Sequence, residues 1–301
     1  MIDISIIIVS WNARDYLVKC LKSLSAGAAG LTAEIIVVDN ASSDGSPEAV
    51  EMLFPNVRLI KTGSNLGFAK ANNVGITASA GKYVCLVNSD IVLLDGCLQR
   101  LYACMEANPM AAVAGPKVLN PDMTLQRSCR RFPGVKNSLL SAAGLEKYNF
   151  LPHRELAEAE VISGCFLMAR RKAVNEVGVL DERFFFYAED TDWCKRFHDN
   201  GWKLLWCPDA RAIHYGGASS SHAPVKFYIE MYKANLKYWR KHKGRLPAAA
   251  FMAITAAHQV TRILKGAGLF LFRPEKKNEG AHNIKRSAAF LKWLVSGRGG
   301  I

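Results

Sequence analysis

The sequence has no pair of cysteines at C-x-x-C spacing, which removes a zinc ribbon and a thioredoxin-like redox motif from consideration. Its eight cysteines, Cys20, Cys85, Cys97, Cys104, Cys129, Cys165, Cys194 and Cys207, are scattered, several of them inside apolar runs. They are expected to be reduced thiols serving as small hydrophobes. Neither G-x-G-x-x-G nor G-x-x-x-x-G-K-[ST] follows the first β-rich run, so a dinucleotide fingerprint and a P-loop are missing from the place either would occupy. No basic segment precedes the apolar run 4–9, which is too short for a secretory signal. The expectation is a body that is not exported and works in the cytoplasm. About 20 apolar residues are needed to span a bilayer, whereas the uncharged stretch 246–261 has 16 and is followed by Arg262 and Lys265. A spanning helix is therefore disfavoured. There is no internal repeat and no low-complexity segment. Acidic residues are nearly missing from the last quarter: residues 226–301 hold 16 Lys and Arg against 3 Asp and Glu, and the residues before them hold 23 of each. The whole net charge of +13 sits on this tail, unlike a protein that wraps nucleic acid over its entire surface.

What is present suffices for a substantial core. Of 301 residues, 50% are hydrophobic, 22% charged and 10% aromatic, which excludes global disorder and fits one large domain or two of ordinary size. The first 118 residues alternate short β-rich runs (4–9, 34–38, 57–61, 83–87, 112–118) with helical patterns (16–24, 47–54, 69–78, 96–107). Continuous apolarity without alternation marks strands buried on both faces. The β-α repetition predicts an α/β fold with a mainly parallel central sheet and helices on both sides. Ser46 before Pro47 reads as a helix N-cap with proline at the first helical position. Residues 119–160, with Pro121, Pro133, Pro152 and the cluster Arg127, Arg130 and Arg131, predict a long excursion over one side of the sheet. Regular patterns resume with a strand at 161–169, helices near 170–176 and 189–200, and strands near 202–206 and 210–214. Beyond 225 the texture changes to basic, aromatic helices.

In an open α/β sheet, ligands bind beyond the carboxyl ends of the strands. Here those positions are Ser10-Trp11-Asn12, the segment 39–45 and Asn88-Ser89-Asp90, all polar. With no phosphate loop, a bound nucleotide needs its diphosphate neutralised in another way, and a Mg²⁺ or Mn²⁺ ion held by Asp90 is the direct device. The segments Ile-Val-Ser-Trp-Asn (8–12), Val-Val-Asp-Asn-Ala-Ser-Ser-Asp-Gly (37–45), Asn-Leu-Gly-Phe-Ala-Lys-Ala-Asn-Asn (65–73), Asn-Ser-Asp (88–90) and Phe-Tyr-Ala-Glu-Asp-Thr-Asp-Trp-Cys-Lys-Arg (186–196) together resemble family-2 glycosyltransferases. The resemblance is strongest to the bacterial rhamnosyltransferase-like branch that builds surface polysaccharide, and it runs over about residues 4–240. It implies a GT-A fold, a nucleoside-diphosphate sugar donor, a divalent metal (Mn²⁺ or Mg²⁺) and inversion at the anomeric carbon.

Carried over position by position, the resemblance implies that Asp39 bonds a pyrimidine base in a pocket lined by Val9 and Trp11, with Asn12 beside them. Asn65, Lys70 and Asn72 would approach the ribose and phosphates. Asn88, Ser89 and Asp90 occupy the metal motif, although its first position is Asn and not Asp, so Asp90 is the one firm carboxylate ligand. His214 would complete the metal shell. Asp190 matches the general base, with Glu189 beside it, at the first turn of a helix whose dipole favours an anion. Gly164 would leave room for the acceptor sugar or simply mark a strand bulge. Asp192 is assigned to the acceptor side, where it would support the residues around it or cap the helix. Trp193 and Phe197, at i and i+4, suit core packing. The Arg127–Arg130–Arg131 cluster would reach an acceptor pyrophosphate or form a solvated face.

The expected organisation is a GT-A domain over 1–224, with a donor half to about 118 and an acceptor half after it, followed by a helical region over 225–301. That tail reads as an interfacial helix for an anionic membrane surface, with Phe251, Met252, Ile263, Leu264, Phe270 and Phe272 as anchors. A homodimer interface or a solvated basic face would use the same residues. The functional expectation is a glycosyltransferase acting at the cytoplasmic face of the membrane on a glycan or lipid-linked acceptor. A second class is a nucleotide-sugar-binding or scaffold protein that has lost catalysis, since the metal motif begins with Asn. Specific nucleic-acid binding lacks any recognition motif.

Overall fold

The computed structural model describes residues 2–27, 30–145, 150, 155–217 and 223–296; Pro152, one of the prolines expected to mark the excursion, lies outside them. The chain forms two compact units, one of residues 1–132 and 150–219, the other of 133–149 and 220–301.

In the first unit the chain runs β1 (Ile4–Ser10), α1 (Arg14–Gly27), β2 (Ala33–Asp39), α2 (Ser46–Leu53), β3 (Arg58–Lys61), α3 (Phe68–Thr77), β4 (Tyr83–Val87), β5 (Ile91–Leu93), α4 (Cys97–Ala107), β6 (Ala111–Leu119) and β7 (Cys129–Arg130). After α5 (Val135–Ala142), which belongs to the second unit, it continues as β8 (Ala157–Glu158), β9 (Val161–Ile162), β10 (Phe166–Arg170), α6 (Arg171–Val177), α7 (Glu189–Asp199) and β11 (Lys203–His214). The main sheet has the order β3-β2-β1-β4-β10-β6-β11-β5, with β8 on β11, and β7 pairs with β9 separately. Strands β3, β2, β1 and β4 are all parallel. Both faces of the sheet are covered, which explains the unbroken apolar runs. Ile4, Ile6 and Ile8 pack with α1 and α4, while Ile7 packs with α3, α6 and α7 on the other side.

Three local expectations need correction. The 161–169 strand is two strands, β9 and β10, separated by a turn at residues 163–165. Strands 202–206 and 210–214 are one strand, β11, whose register shifts between Cys207 and Arg211; Pro208 lies there and has no N–H to give to the ladder. Ser46 is the first residue of α2 and not its cap: Gly45 takes the cap position at φ 80°, and the Ser46 N–H and hydroxyl donate to Asp44 Oδ1 at 3.1 and 2.6 Å. The expectation of eight thiols also fails for one pair. Cys104 on α4 and Cys207 on β11 form a disulfide, and the other six cysteines are buried and free. Their 103-residue separation left no spacing signal; it is the packing of α4 on β11 that brings them together.

The second unit consists of α5, α8 (Pro224–His242), α9 (Arg245–Phe272) and α10 (Lys277–Val295). Helices α9 and α10 cross with their backbones almost touching. A Cβ added to Gly266 would lie 2.9 Å from the Gly280 carbonyl oxygen, and one on Gly280 2.6 Å from that of Gly266. At the centre Gln259 is fully buried and held by three hydrogen bonds: its Oε1 accepts the Tyr228 and Ser287 hydroxyls at 2.8 Å each, and its Nε2 donates to the Tyr232 hydroxyl at 3.1 Å. Such a satisfied polar network fixes helix register. Two of the expected membrane anchors are not available. Phe251 stacks on Trp239 at 5.1 Å, and both it and Met252 are buried within this unit. Leu264, Phe270 and Phe272 are exposed, together with Leu271. No helix among the described residues is long and apolar enough to cross a membrane.

Candidate active site

Because β1 lies between β2 and β4, the winding reverses at its side, and a crevice opens at the carboxyl ends of these strands. Ser10 and Asp39 are partners in the β1–β2 ladder, so both strands end level at this crevice. Asp39 is buried; its Oδ2 accepts the Ser42 N–H at 3.1 Å, and its Oδ1 has no partner. The buried Ser10 hydroxyl has none either. Val9 and Trp11 are half-buried next to it. Asn12 braces the loop: its N–H donates to Ser42 Oγ at 3.0 Å, and its Oδ1 accepts the Ser43 N–H at 2.7 Å. Asn65 is also a brace, accepting from Asn40 Nδ2 at 3.1 Å and from the Gly67 N–H at 3.0 Å. Lys70 is exposed on α3, whereas Asn72 is buried and donates to the Phe68 carbonyl of its own helix at 2.9 Å.

The insertion of β10, antiparallel to both β4 and β6, joins the two halves of the site. The Asn88 N–H donates to the Cys165 carbonyl at 2.8 Å, which sets the 163–165 turn against Asn88-Ser89-Asp90. Ser89 and Asp90 are buried. His214, at the end of β11, places Nε2 3.2 Å from Asp90 Oδ1 and 3.5 Å from Asn88 Nδ2. Asn88 Oδ1 is buried with no partner. No group of three or more His, Cys, Asp or Glu is placed to hold a metal among the described residues. The corner instead combines one carboxylate, one imidazole and one orphaned amide oxygen, a donor set that fits a divalent cation shared with phosphate oxygens and water.

On the other side of the turn lies Asp190, in the first turn of α7. Its Oδ2 accepts the Gly164 N–H at 2.9 Å, and its Oδ1 accepts the Thr191 N–H at 2.6 Å and the Thr191 hydroxyl at 3.0 Å. Arg130 Nη2 reaches both oxygens, at 3.2 and 3.3 Å. Each of these hydrogen-bond partners is a donor, as suits a carboxylate. Glu189 is different. Burial first, and then the neighbouring Asp190 charge, push its carboxyl up to about 8, and its Oε2 is unpartnered. The upward shift favours the acid form of Glu189, which leaves Asp190 the better placed of the two to serve as base. Gly164 has a steric reason: a Cβ there would lie 3.2 Å from Asp190 Cβ, tighter than ordinary contact. The thiol of Cys165 is pushed up to about 11, by burial foremost, with a Ser163 hydrogen bond opposing and both Asp190 and Asp90 adding. The two carboxylates therefore flank this one short turn.

Asp192 is fully buried and bonds Arg196 Nε at 2.9 Å; Arg196 in turn donates to the carbonyls of Val177 and Val179. Trp193 and Phe197 are core residues, with rings 5.1 Å apart. Within the arginine cluster, Arg130 holds Asp190, Arg131 pairs with Glu160 at 3.7 Å, and Arg127 lies 4.9 Å from the Phe150 ring centre.

Sequence reading missed Asn73, which exchanges hydrogen bonds with Leu180 (Nδ2 to its carbonyl, 2.8 Å; its N–H to Oδ1, 3.1 Å) and so anchors the loop leading to α7. It also missed the backbone strain. The non-glycine residues with positive φ among those described are Asn12, Ala41, Met123, Tyr187 and Ala188, all in loops around these strand ends or just before α7. Left-handed backbone at such residues costs energy and collects at functional sites. Motif spelling carries no signal for it.

Fold and site together define a GT-A glycosyltransferase. The chain belongs to glycosyl transferase family 2, whose model matches residues 5–178. Among its relatives is the N-acetylglucosaminyl-diphospho-decaprenol L-rhamnosyltransferase of Mycobacterium tuberculosis, 29% identical over 265 residues, covering 79% of this chain and 85% of that one. Another is the dTDP-rhamnosyl transferase RfbF of Shigella flexneri, 25% identical over 254 residues, covering 80% and 81%. This chain thus falls in the rhamnosyltransferase-like branch. The solved mannosyltransferase of Pyrobaculum calidifontis, in complex with GDP-Man and Mn²⁺, superposes with a TM-score of 0.59 at 15% identity, covering 97% of this chain and 86% of that one.

Proposed function

We propose that this glycosyltransferase moves a sugar, with rhamnose the favoured one, from a pyrimidine nucleoside diphosphate to a hydroxyl of a lipid-linked glycan acceptor, with inversion. The observation that carries the reading is the convergence of two groups on the 163–165 turn, the Asn88–Asp90–His214 corner and Asp190 on the Gly164 N–H, with Asp39 and its free Oδ1 at the carboxyl end of β2 on the same edge of the sheet. The unpartnered Asp39 Oδ1 can accept the N3–H of uracil or thymine, and the dTDP-rhamnosyl transferase among the relatives supports thymine. The decaprenol-linked substrate in the name of the mycobacterial relative supports a lipid-linked acceptor.

Asp90, His214 and Asn88 Oδ1 would hold Mn²⁺ or Mg²⁺, which when bound offsets the charge of the diphosphate. Asp190 accepts the proton of the acceptor hydroxyl as its oxygen bonds to the anomeric carbon, and the bond from that carbon to the phosphate oxygen breaks. The nucleoside diphosphate leaves with the bonding pair. A single displacement with one base inverts the centre, and no second carboxylate is needed as nucleophile. A donor screen with either metal, following nucleoside diphosphate release, tests the reading. Thymidine or uridine diphosphate sugars should turn over fastest, and a purine donor outrunning them would overturn the role of Asp39.

For localisation, the proposal is peripheral attachment to the cytoplasmic leaflet through the turn between α9 and α10. Residues 270–279 are exposed throughout; they combine Phe270, Leu271 and Phe272 with Arg273, Lys276 and Lys277, and Glu275 and Glu279 lie among these cations. The exposed apolar tip suits insertion at a bilayer surface; because Glu275 pairs with Arg273 and Glu279 lies nearby, attraction to anionic lipid falls to the other cations of the tail. Replacing Phe270, Leu271 and Phe272 together by serine should weaken binding to anionic vesicles by about tenfold or more and leave the thermal midpoint unchanged. Unchanged sedimentation with vesicles would refute the membrane role. A cut after Lys243 is a poorer test, because it would uncover Trp239 from Phe251.

A further inference from the structure

Beyond β6 the chain turns back on itself. The Asn120 N–H donates to the Thr124 carbonyl at 2.8 Å, the Gln126 N–H to the Val118 carbonyl at 2.9 Å, and Met123 takes a φ of 67° to close the turn. Since β6 runs beside β11, with Leu119 opposite Ile213, this turn delivers Gln126 to His214. Gln126 Oε1 lies 2.6 Å from His214 Nδ1, and Gln126 Nε2 lies 3.3 Å from the His214 carbonyl oxygen. One amide therefore grips both the ring and the backbone of the same residue.

The polarity of this contact follows from the chain of hydrogen bonds behind it. Asp122 is an acceptor at neutral pH, so the Thr124 hydroxyl, 2.5 Å from Asp122 Oδ1, must donate to it. Thr124 Oγ1 then accepts from Asn120 Nδ2 at 2.9 Å. That orients the Asn120 amide, whose Oδ1 accepts from Gln126 Nε2 at 2.9 Å. Gln126 is left with its oxygen towards the ring, and only a protonated Nδ1 can donate to it. In the neutral imidazole the Gln126 contact favours the proton on Nδ1, which turns the Nε2 lone pair towards Asn88 Nδ2 and towards Asp90 Oδ1 at 3.2 Å; Asp90, itself an acceptor, pulls the proton the other way, and a cation between the two relieves that conflict.

We propose that Gln126 is a positioning residue, one that locks neutral His214 in the Nδ1–H form so that Nε2 is presented as a cation ligand beside Asp90. The proposal rests on the cation reading of the Asn88–Asp90–His214 corner. It matters more here than in a corner of two carboxylates, because with Asn at the first motif position the imidazole is one of only two strong donors. Outer partners of metal-bound histidines act in this way, and their loss typically costs about 10–100-fold in metal affinity.

The test uses the full chain with two readouts. The first is the tautomer of His214 in the metal-free protein, from long-range ¹⁵N couplings of labelled histidine at a pH above the titration of the ring. Wild type should carry its proton on Nδ1, and Gln126→Ala should shift towards Nε2–H, the form free histidine favours. The second is Mn²⁺ affinity in the presence of a nucleoside diphosphate, by electron spin resonance. Gln126→Ala should bind about 10–100-fold more weakly; Gln126→Glu keeps an acceptor for Nδ1 but sets its second oxygen against Asn120 Oδ1 and the His214 carbonyl, so it should recover part of that loss and bind more tightly than Gln126→Ala. A wild-type proton on Nε2, or unchanged Mn²⁺ affinity in Gln126→Ala, overturns the proposal. If the wild-type protein bound no Mn²⁺ with the diphosphate, the cation reading itself would fall, and the tautomer measurement would still decide whether Gln126 sets the ring. Thermal melts separate both results from misfolding, since the turn is largely exposed.

Discussion

Replacing Asp190 by asparagine should lower sugar transfer by about 10²–10⁴-fold, the usual cost of losing a general base, with donor affinity close to wild type. The amide keeps the shape of the side chain but cannot take the acceptor proton. It also brings an NH₂ group into a setting where Gly164, Thr191 and Arg130 all donate, so one N–H must face another donor. Some loss of stability is expected from that conflict, on the order of 1–3 kcal/mol, and a melt recorded beside the kinetics separates it from the catalytic loss. Glu189→Gln provides the contrast. Burial and the Asp190 charge push the Glu189 carboxyl up to about 8, which favours its acid form, so an amide should change little there and most of the activity should survive. Initial rates and donor titrations on both variants decide the assignment. Near-wild-type turnover in Asp190→Asn, or equal losses in the two variants, would remove Asp190 from the role of base.

Asp90→Ala should abolish cation-dependent binding of the nucleoside diphosphate. Asp90 is the one carboxylate of a corner that must offset diphosphate charge, and it is buried, so neither a second carboxylate nor bulk water replaces it readily. The expected loss exceeds the roughly 10–100-fold seen when an outer-shell partner is removed. His214→Ala should weaken the same binding less, since it removes a neutral donor and leaves the charge. Calorimetry of the nucleoside diphosphate with and without Mn²⁺ provides the measurement. Equal cation-dependent affinity in Asp90→Ala and wild type would place the metal, if any, elsewhere. Asn88→Asp makes a useful companion, because it puts a charge on the orphaned Oδ1 position and should tighten the ion.

How much of this site could be read without coordinates depended on the type of contact. Asp39, Asp90, Asp190 and His214 were legible because they lie at strand ends or a helix start, where a short motif and its flanking apolar run fix the place of a residue. Asn12, Asn65 and Asn72 belong to the same motifs, but their amides bond neighbouring loop and helix backbone. Motif spelling cannot separate a residue that touches a ligand from one that shapes the loop around it. Gln126, Asn73 and the bond from Arg130 to Asp190 join positions 60 to 107 residues apart. No local pattern encodes such pairs. The membrane anchors failed in part for a related reason: Phe251 and Met252 have the same composition signal as Phe270 and Phe272, and only packing distinguishes a residue under a neighbouring helix from one at a helix end.

By itself the sequence determined the alternation of strands and helices, the rim at which the ligand groups collect, the family, and a charge confined to the tail. All of these rest on local forces, namely the burial of apolar runs, turn chemistry and residue type at strand ends, which act over a few positions. The tertiary structure decided the rest. It inserted β10 antiparallel between β4 and β6, so that the Gly164 turn carries Asp190 on one side and Asn88 on the other. It also placed Gln126 against His214, joined Cys104 to Cys207, and buried Glu189 so that its carboxyl shifts upward beside Asp190. Each of these depends on which segments lie side by side after the chain has closed loops of tens of residues, and on the burial that closure creates, neither of which is a property of any short stretch of chain.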